Sequence, residues 1–181
     1  DGAFGAQGGA GVVVGGGTNG STVLGNQNAT LDLRNVIYST IEQIFLAGGT
    51  LATTTGNSSW AGSVTISANS NILVNSGATL TLNGTLSGAG AITQLGEGTL
   101  VLKGTAETTT RNTTTGAMVP SHTVQAGTLR LDYTVNNTTK LADTASLTLG
   151  GGRLGGAIEL LGGSHLEIVS STTIGAGANS I

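Results

Sequence analysis

The sequence predicts an all-β chain wound into a parallel β-helix, a solenoid of roughly 20 residues per coil. Three observations carry that reading. A unit of Gly, small polar residue, Leu, any residue, Leu recurs along the chain, as in "GEGTLVLKG" at 96–104 and "GTLRL" at 127–131. Between these units lie short runs of alternating apolar and polar residues, each bounded by Gly, Asn or Ser. The composition suits stacked strands and corners: 32 Gly, one Pro, no Cys, and only 8% charged residues across 181 positions, against roughly 25% in an ordinary globular domain.

Strict alternation places one set of side chains on a buried strand face and the other outside. In "TLVLKG", Leu100 and Leu102 face one way and Val101 and Lys103 the other. The leading residues of the Leu pairs are Leu80, Leu100, Leu129, Leu147 and Leu166, spaced 20, 29, 18 and 19 residues apart. These pairs, ending in Leu166 and Ile168, are expected to line one continuous core. "SVTIS", "NILVN", "AITQL" and "HTVQA" supply further short strands. Several such strands per unit fit one coil, which cannot bury its own apolar face and must stack on its neighbours. Roughly eight or nine coils at about 4.8 Å each would make a rod on the order of 40 Å long.

The chain reads as one unit, 1–181. Residues 1–20 carry nine Gly and are expected to form an irregular first coil with Val12 and Val14 inward. Residues 35–47, "NVIYSTIEQIFLA", suit one face of a helix, yet their β-branched content favours strands broken by a turn. The repeat is clearest over 46–156. The interval from Gly98 to Gly127 is about ten residues too long, and 105–121 is read as a loop extruded from one coil. The chain opens at Asp1 and ends in mid-pattern, so it is expected to be a fragment continuing in both directions.

Composition narrows the function. A net charge of −3 and scattered Lys and Arg argue against nucleic-acid binding. No run of 18 apolar residues is present to form a transmembrane helix. Absence of Cys excludes a disulfide framework and a thiolate metal site.

The segments 76–104, "VQAGTLRLD" (124–132) and "LADTASLTLGGGRLGG" (141–156) resemble the passenger-associated transport repeat, also called the autotransporter-associated β-strand repeat. The resemblance implies a right-handed β-helical passenger of a Gram-negative outer-membrane autotransporter. It implies export to the cell surface through a C-terminal β-barrel in the full-length protein. The family usually joins its two Gly-Thr-Leu units by a short connection, and the long 105–121 segment departs from that.

No catalytic, metal or cofactor site is legible. Lys103 and Asp132 are expected to meet across adjacent coils, without a second carboxylate to serve as acid or base. His122 and His165 are far apart in sequence and are expected to face solvent. "GGGRLGG" at 150–156 lacks the Asp of a calcium repeat. Two ligand-binding candidates remain. The 105–121 loop would bind through Thr108, Arg111 and Thr114, or be a drifted bulge without function. Trp60 would stack on carbohydrate or pack at a coil corner. The expected function is non-enzymatic: a surface structural and adhesive module that contacts glycans, host matrix proteins or copies of itself. A filament-forming extracellular unit and a β-helical glycan hydrolase or lyase are the alternatives.

Overall fold

The computed structural model describes residues 12–15, 21–24, 29–39, 41–105 and 121–181. In chain order the strands are β1 (Val12–Gly15), β2 (Ser21–Leu24), β3 (Thr30–Asp32), β4 (Ile37–Tyr38), β5 (Gln43–Ala47) and β6 (Thr50–Thr53). They continue as β7 (Asn57–Trp60), β8 (Val64–Ala68), β9 (Ser70–Val74), β10 (Thr79–Leu82), β11 (Leu86–Ser87) and β12 (Ile92–Leu95). The last are β13 (Thr99–Leu102), β14 (His122–Val124), β15 (Ala126–Asp132), β16 (Ser146–Leu149), β17 (Gly155–Leu161) and β18 (Ser171–Ile174). No helix occurs among the described residues.

The strands form three sheets in the orders β1-β2-β5-β8-β11, β17-β15-β13-β10-β7-β4 and β18-β16-β14-β12-β9-β6-β3. Every pairing is parallel except β1 with β2. From β3 to β13 successive strands visit the three sheets in turn, and from β13 to β18 they alternate between the six- and seven-stranded sheets; the chain makes a β-solenoid of about six turns at about 22 residues per turn. The expected eight or nine coils are too many. The segment from 133 to 145 carries no strand, which lengthens the turn between β15 and β17.

Stacking follows the Leu pattern where the pattern stays within one sheet. Leu80 pairs with Leu100 and Leu100 with Leu129, and their second members Leu82, Leu102 and Leu131 pair in the same way. All six are buried in one core cluster. Trp60 lies in that core, fully buried, its ring stacked on Tyr38 at 4.2 Å and its Nε1–H donating to the Glu42 carbonyl at 3.0 Å. The segment 35–47 forms strands β4 and β5, as its β-branched content favours.

Two parts of the Leu register differ from expectation. Leu147 and Leu149 do not continue the Leu129/Leu131 column. They stand on the seven-stranded sheet and pair with His122 and Val124. Spacing alone could not distinguish a full turn from a step to the neighbouring sheet. The rung above Leu129 and Leu131 is filled instead by Ile158 and Leu160.

Leu166 and Ile168 lie in no strand and are 76% and 50% exposed. Between them Glu167 turns inward, its side chain only 7% exposed. The alternation of "SHLEI" is real but its phase is reversed, and a one-residue shift exchanges every side chain between faces. Polar donors at the Glu167 carboxylate, described below, account for that choice.

Of the expected first coil over 1–20, only 12–15 lie among the described residues, where β1 runs antiparallel to β2 with Val12 opposite Leu24 and Gly15 opposite Ser21.

Glycine serves the corners in two ways. Gly127, at φ 74°, adopts a conformation that side chains disfavour. Gly98 sits so close to the coil below that a Cβ would collide with the Asn75 carbonyl.

Candidate functional site

The seven-stranded sheet presents a regular outer surface. Thr30 pairs with Thr50, Thr50 with Asn71, Asn71 with Thr93, Thr93 with Thr123, Thr123 with Thr148, and Thr148 with Thr173. These seven side chains form one ladder on the outer face. They alternate along their strands with buried residues such as Leu51, Ile72, Ile92 and Leu147. At about 4.8 Å per rung, six steps span roughly 30 Å. A second, shorter row runs beside it, where Ser146 pairs with Ser171.

The hydroxyls of Thr50, Thr93, Thr123 and Thr148 make no hydrogen bond to any other described residue. The contrast with the five-stranded sheet is clear: there Gln43 Nε2 donates to Thr65 Oγ1 at 2.9 Å, and Thr65 Oγ1 lies 3.0 Å from Ser87 Oγ. The ladder is also poor in charge. Strands β6, β9, β12, β14, β16 and β18 contain no Asp, Glu, Lys or Arg, and only β3 at the edge carries one, Asp32, paired with Arg34.

Charge gathers on the six-stranded sheet and the turn after it. Lys103 Nζ lies 3.3 Å from Asp132 Oδ2, the ion pair anticipated from the repeat register. Arg130 Nε donates to Glu159 Oε2 at 2.8 Å one rung further on. Burial pushes the Asp132 carboxyl up, but hydrogen bonds from the Thr134 hydroxyl and amide and the Lys103 ammonium outweigh it and hold it below the usual range.

Behind these pairs lies a buried polar cluster. Lys140 is almost fully buried, and its ammonium donates to the carbonyls of Asn136, Gly104 and Lys103 at 2.7, 2.8 and 3.1 Å. Three N–H donors meet three acceptors, so the charge is completely solvated by backbone. Burial lowers the Lys140 pKa, against the opposing pull of Glu167 and Asp132. Glu167 accepts from the Leu141 amide at 2.6 Å, from the Lys140 amide at 3.1 Å and from Tyr133 Oη–H at 2.6 Å. Burial, then the adjacent Glu167, pushes the Tyr133 phenol well above its ordinary pKa. His165 Nε2 lies 3.7 Å from the same carboxylate.

This cluster ties the segment 133–145 to the coils on either side. It offers no free nucleophile or base, because each group is already engaged. Among the described residues no three His, Cys, Asp or Glu side chains are placed to hold a metal ion.

The expected site residues fall as follows. Trp60 is in the core, so its ring presents no face to a sugar. Thr108, Arg111 and Thr114 lie outside the described residues. The stems of their loop are fixed: the Leu86 amide donates to the Thr105 carbonyl at 3.0 Å, and the Ile92 amide to the Ser121 carbonyl at 2.8 Å. The chain therefore leaves at Thr105 from the edge of the five-stranded sheet, beside β11, and returns at Ser121 to the seven-stranded sheet, beside β12 and β14.

The expectation of a solvent-facing His122 is wrong. The ring is buried between Ile92 and Leu147 in the stacked column, and burial lowers its pKa to about 4. Its inward phase in "SHTVQ" was the available signal, since Val124 two residues on points the same way. His165 is only partly exposed. Sequence reasoning did not find Lys140 or Glu167, whose partners are mostly backbone atoms of residues far away in the chain.

No known family matches this chain, and no curated protein or solved structure matches it.

Proposed function

We propose that this chain is a non-enzymatic adhesive module at a bacterial surface, a stiff rod that binds through its polar ladders. The observation that carries the reading is the seven-rung Thr/Asn ladder with its unengaged hydroxyls. Many weak, identical contacts along one face multiply into useful avidity when the ligand is itself repetitive. The resemblance of 76–104, 124–132 and 141–156 to autotransporter passenger repeats supports presentation outside a Gram-negative cell, on a C-terminal outer-membrane β-barrel. Glycans, matrix proteins and copies of the chain are the partners this reading implies.

The test is an array of glycans and matrix proteins probed with the chain. Thr123→Lys/Thr148→Lys is run alongside it, together with deletion of 107–118. Binding that is lost in either variant supports an adhesive module. An array without any hit, together with unaltered adhesion of cells displaying both variants, opposes it.

A further inference from the structure

Resting on the adhesive reading, we infer that the occupant of the Thr ladder is a lattice of ordered water, the surface of ice. Four features of the face select this occupant. The rungs repeat at about 4.8 Å, the strand spacing of any parallel sheet. That is close to the repeat of oxygen rows on ice, so successive hydroxyls fall near successive lattice positions. The row is straight: no register shift interrupts the pairs of this sheet, whereas β5 shifts between Leu46 and Ala47 on the five-stranded sheet.

The side chain is also suited. Thr carries a hydroxyl and a methyl on one stiff Cβ, with little χ1 freedom to lose. An array held by a β-sheet is preorganised, and ordering water on it costs little conformational entropy. The hydroxyls of Thr50, Thr93, Thr123 and Thr148 have no protein partner among the described residues and are available to lattice water.

Charge complementarity points the same way. Six of the seven strands on this face carry no charged residue, and the Asp32–Arg34 pair is confined to the β3 edge, which fits a neutral occupant along β6 to β18 and disfavours polyanions. The same strands carry no aromatic ring on which a sugar could stack, and Trp60 is buried in another sheet. The other faces are less suited. The six-stranded sheet bears the Arg130–Glu159 and Lys103–Asp132 pairs, and the five-stranded sheet spends its hydroxyls internally.

The test uses the whole chain, labelled with a fluorophore at its N-terminus. The protein is allowed to partition into a slowly growing polycrystalline ice hemisphere, and ice recrystallisation is followed in the same samples. The chain is expected to enter the ice and slow recrystallisation. Thr123→Lys/Thr148→Lys should lose both effects while circular dichroism stays unchanged, and Thr81→Lys, on the six-stranded sheet, should retain them. Exclusion of the folded wild-type chain from ice overturns the inference. So does retention of activity in the Thr123→Lys/Thr148→Lys variant.

Glycan-array binding lost in that variant, with wild type excluded from ice, would assign the ladder to a neutral glycan. It would leave the adhesive reading standing while removing this one. Ice activity with an empty array would support this inference and identify the adhesive ligand.

Discussion

Tyr133 Oη–H donates to Glu167 Oε2 at 2.6 Å, across 34 residues of chain. That bond, with the amides of Lys140 and Leu141 on the same carboxylate, draws Glu167 inward and turns Leu166 and Ile168 out. Glu167→Ala should leave buried donors without partners. Its expected cost is on the order of 3 kcal/mol. Leu166→Ala, at an exposed position, should stay within about 0.5 kcal/mol of wild type. Urea midpoints of the two variants check this, and a reversed ranking would place Leu166 in the core after all.

His122 makes stability depend on pH. Its folded pKa is about 4 while the unfolded chain titrates near 6.5. Between these values the unfolded state binds a proton that the folded state refuses, so stability falls as pH drops through this window. The full effect is on the order of 3 kcal/mol, complete near pH 4. His122→Leu, matching its stacked neighbours Ile92 and Leu147, should flatten this part of the profile. Denaturation at a series of pH values reads both curves, and an equal slope in the variant would contradict the assignment.

Leu102 is buried in register between Leu82 and Leu131. An unpaired carboxylate there costs several kcal/mol, about the total stability of a small domain. Leu102→Asp should therefore abolish cooperative unfolding. Val101→Thr on the same strand should not. Native-like circular dichroism and a normal melt for Leu102→Asp would refute the inward phase of β13.

The stems of the long loop are hydrogen-bonded at Thr105 and Ser121. Deleting 107–118 shortens a connection without touching either stem, and loop length enters closure entropy only logarithmically. The thermal midpoint should hardly move. A collapse of the fold would show that this segment packs as an integral coil.

Much of the architecture was legible in the sequence because solenoid stacking is local in kind. Alternation in "TLTL" and "TLRL" dictates which side chains are buried, though Val101 in "TLVL" is buried on the opposite face as well, and the repeated unit aligns Leu80, Leu100 and Leu129. What spacing could not decide was the sheet to which a strand belongs. Leu147 lies 18 residues after Leu129, near one full turn, yet it belongs to the next sheet because 133–145 consumes the intervening chain. Phase was equally ambiguous in "SHLEI", where three buried donors at Glu167 outweighed two aliphatic side chains. The ladder was foreseeable as stacked Thr and Asn, but its seven-fold continuity appeared only once the β14–β16 register was known.

That register is the foundation of the site, and it can be measured directly. The chain has no Cys, so paired cysteines can be labelled cleanly with pyrene maleimide. In Thr123→Cys/Thr148→Cys the two probes sit on adjacent rungs, about 4.8 Å apart, and should give strong excimer fluorescence in the folded state. In Thr128→Cys/Thr148→Cys they sit on different sheets and should give monomer emission only. Excimer emission from the second pair and not the first would break the ladder and contradict the account.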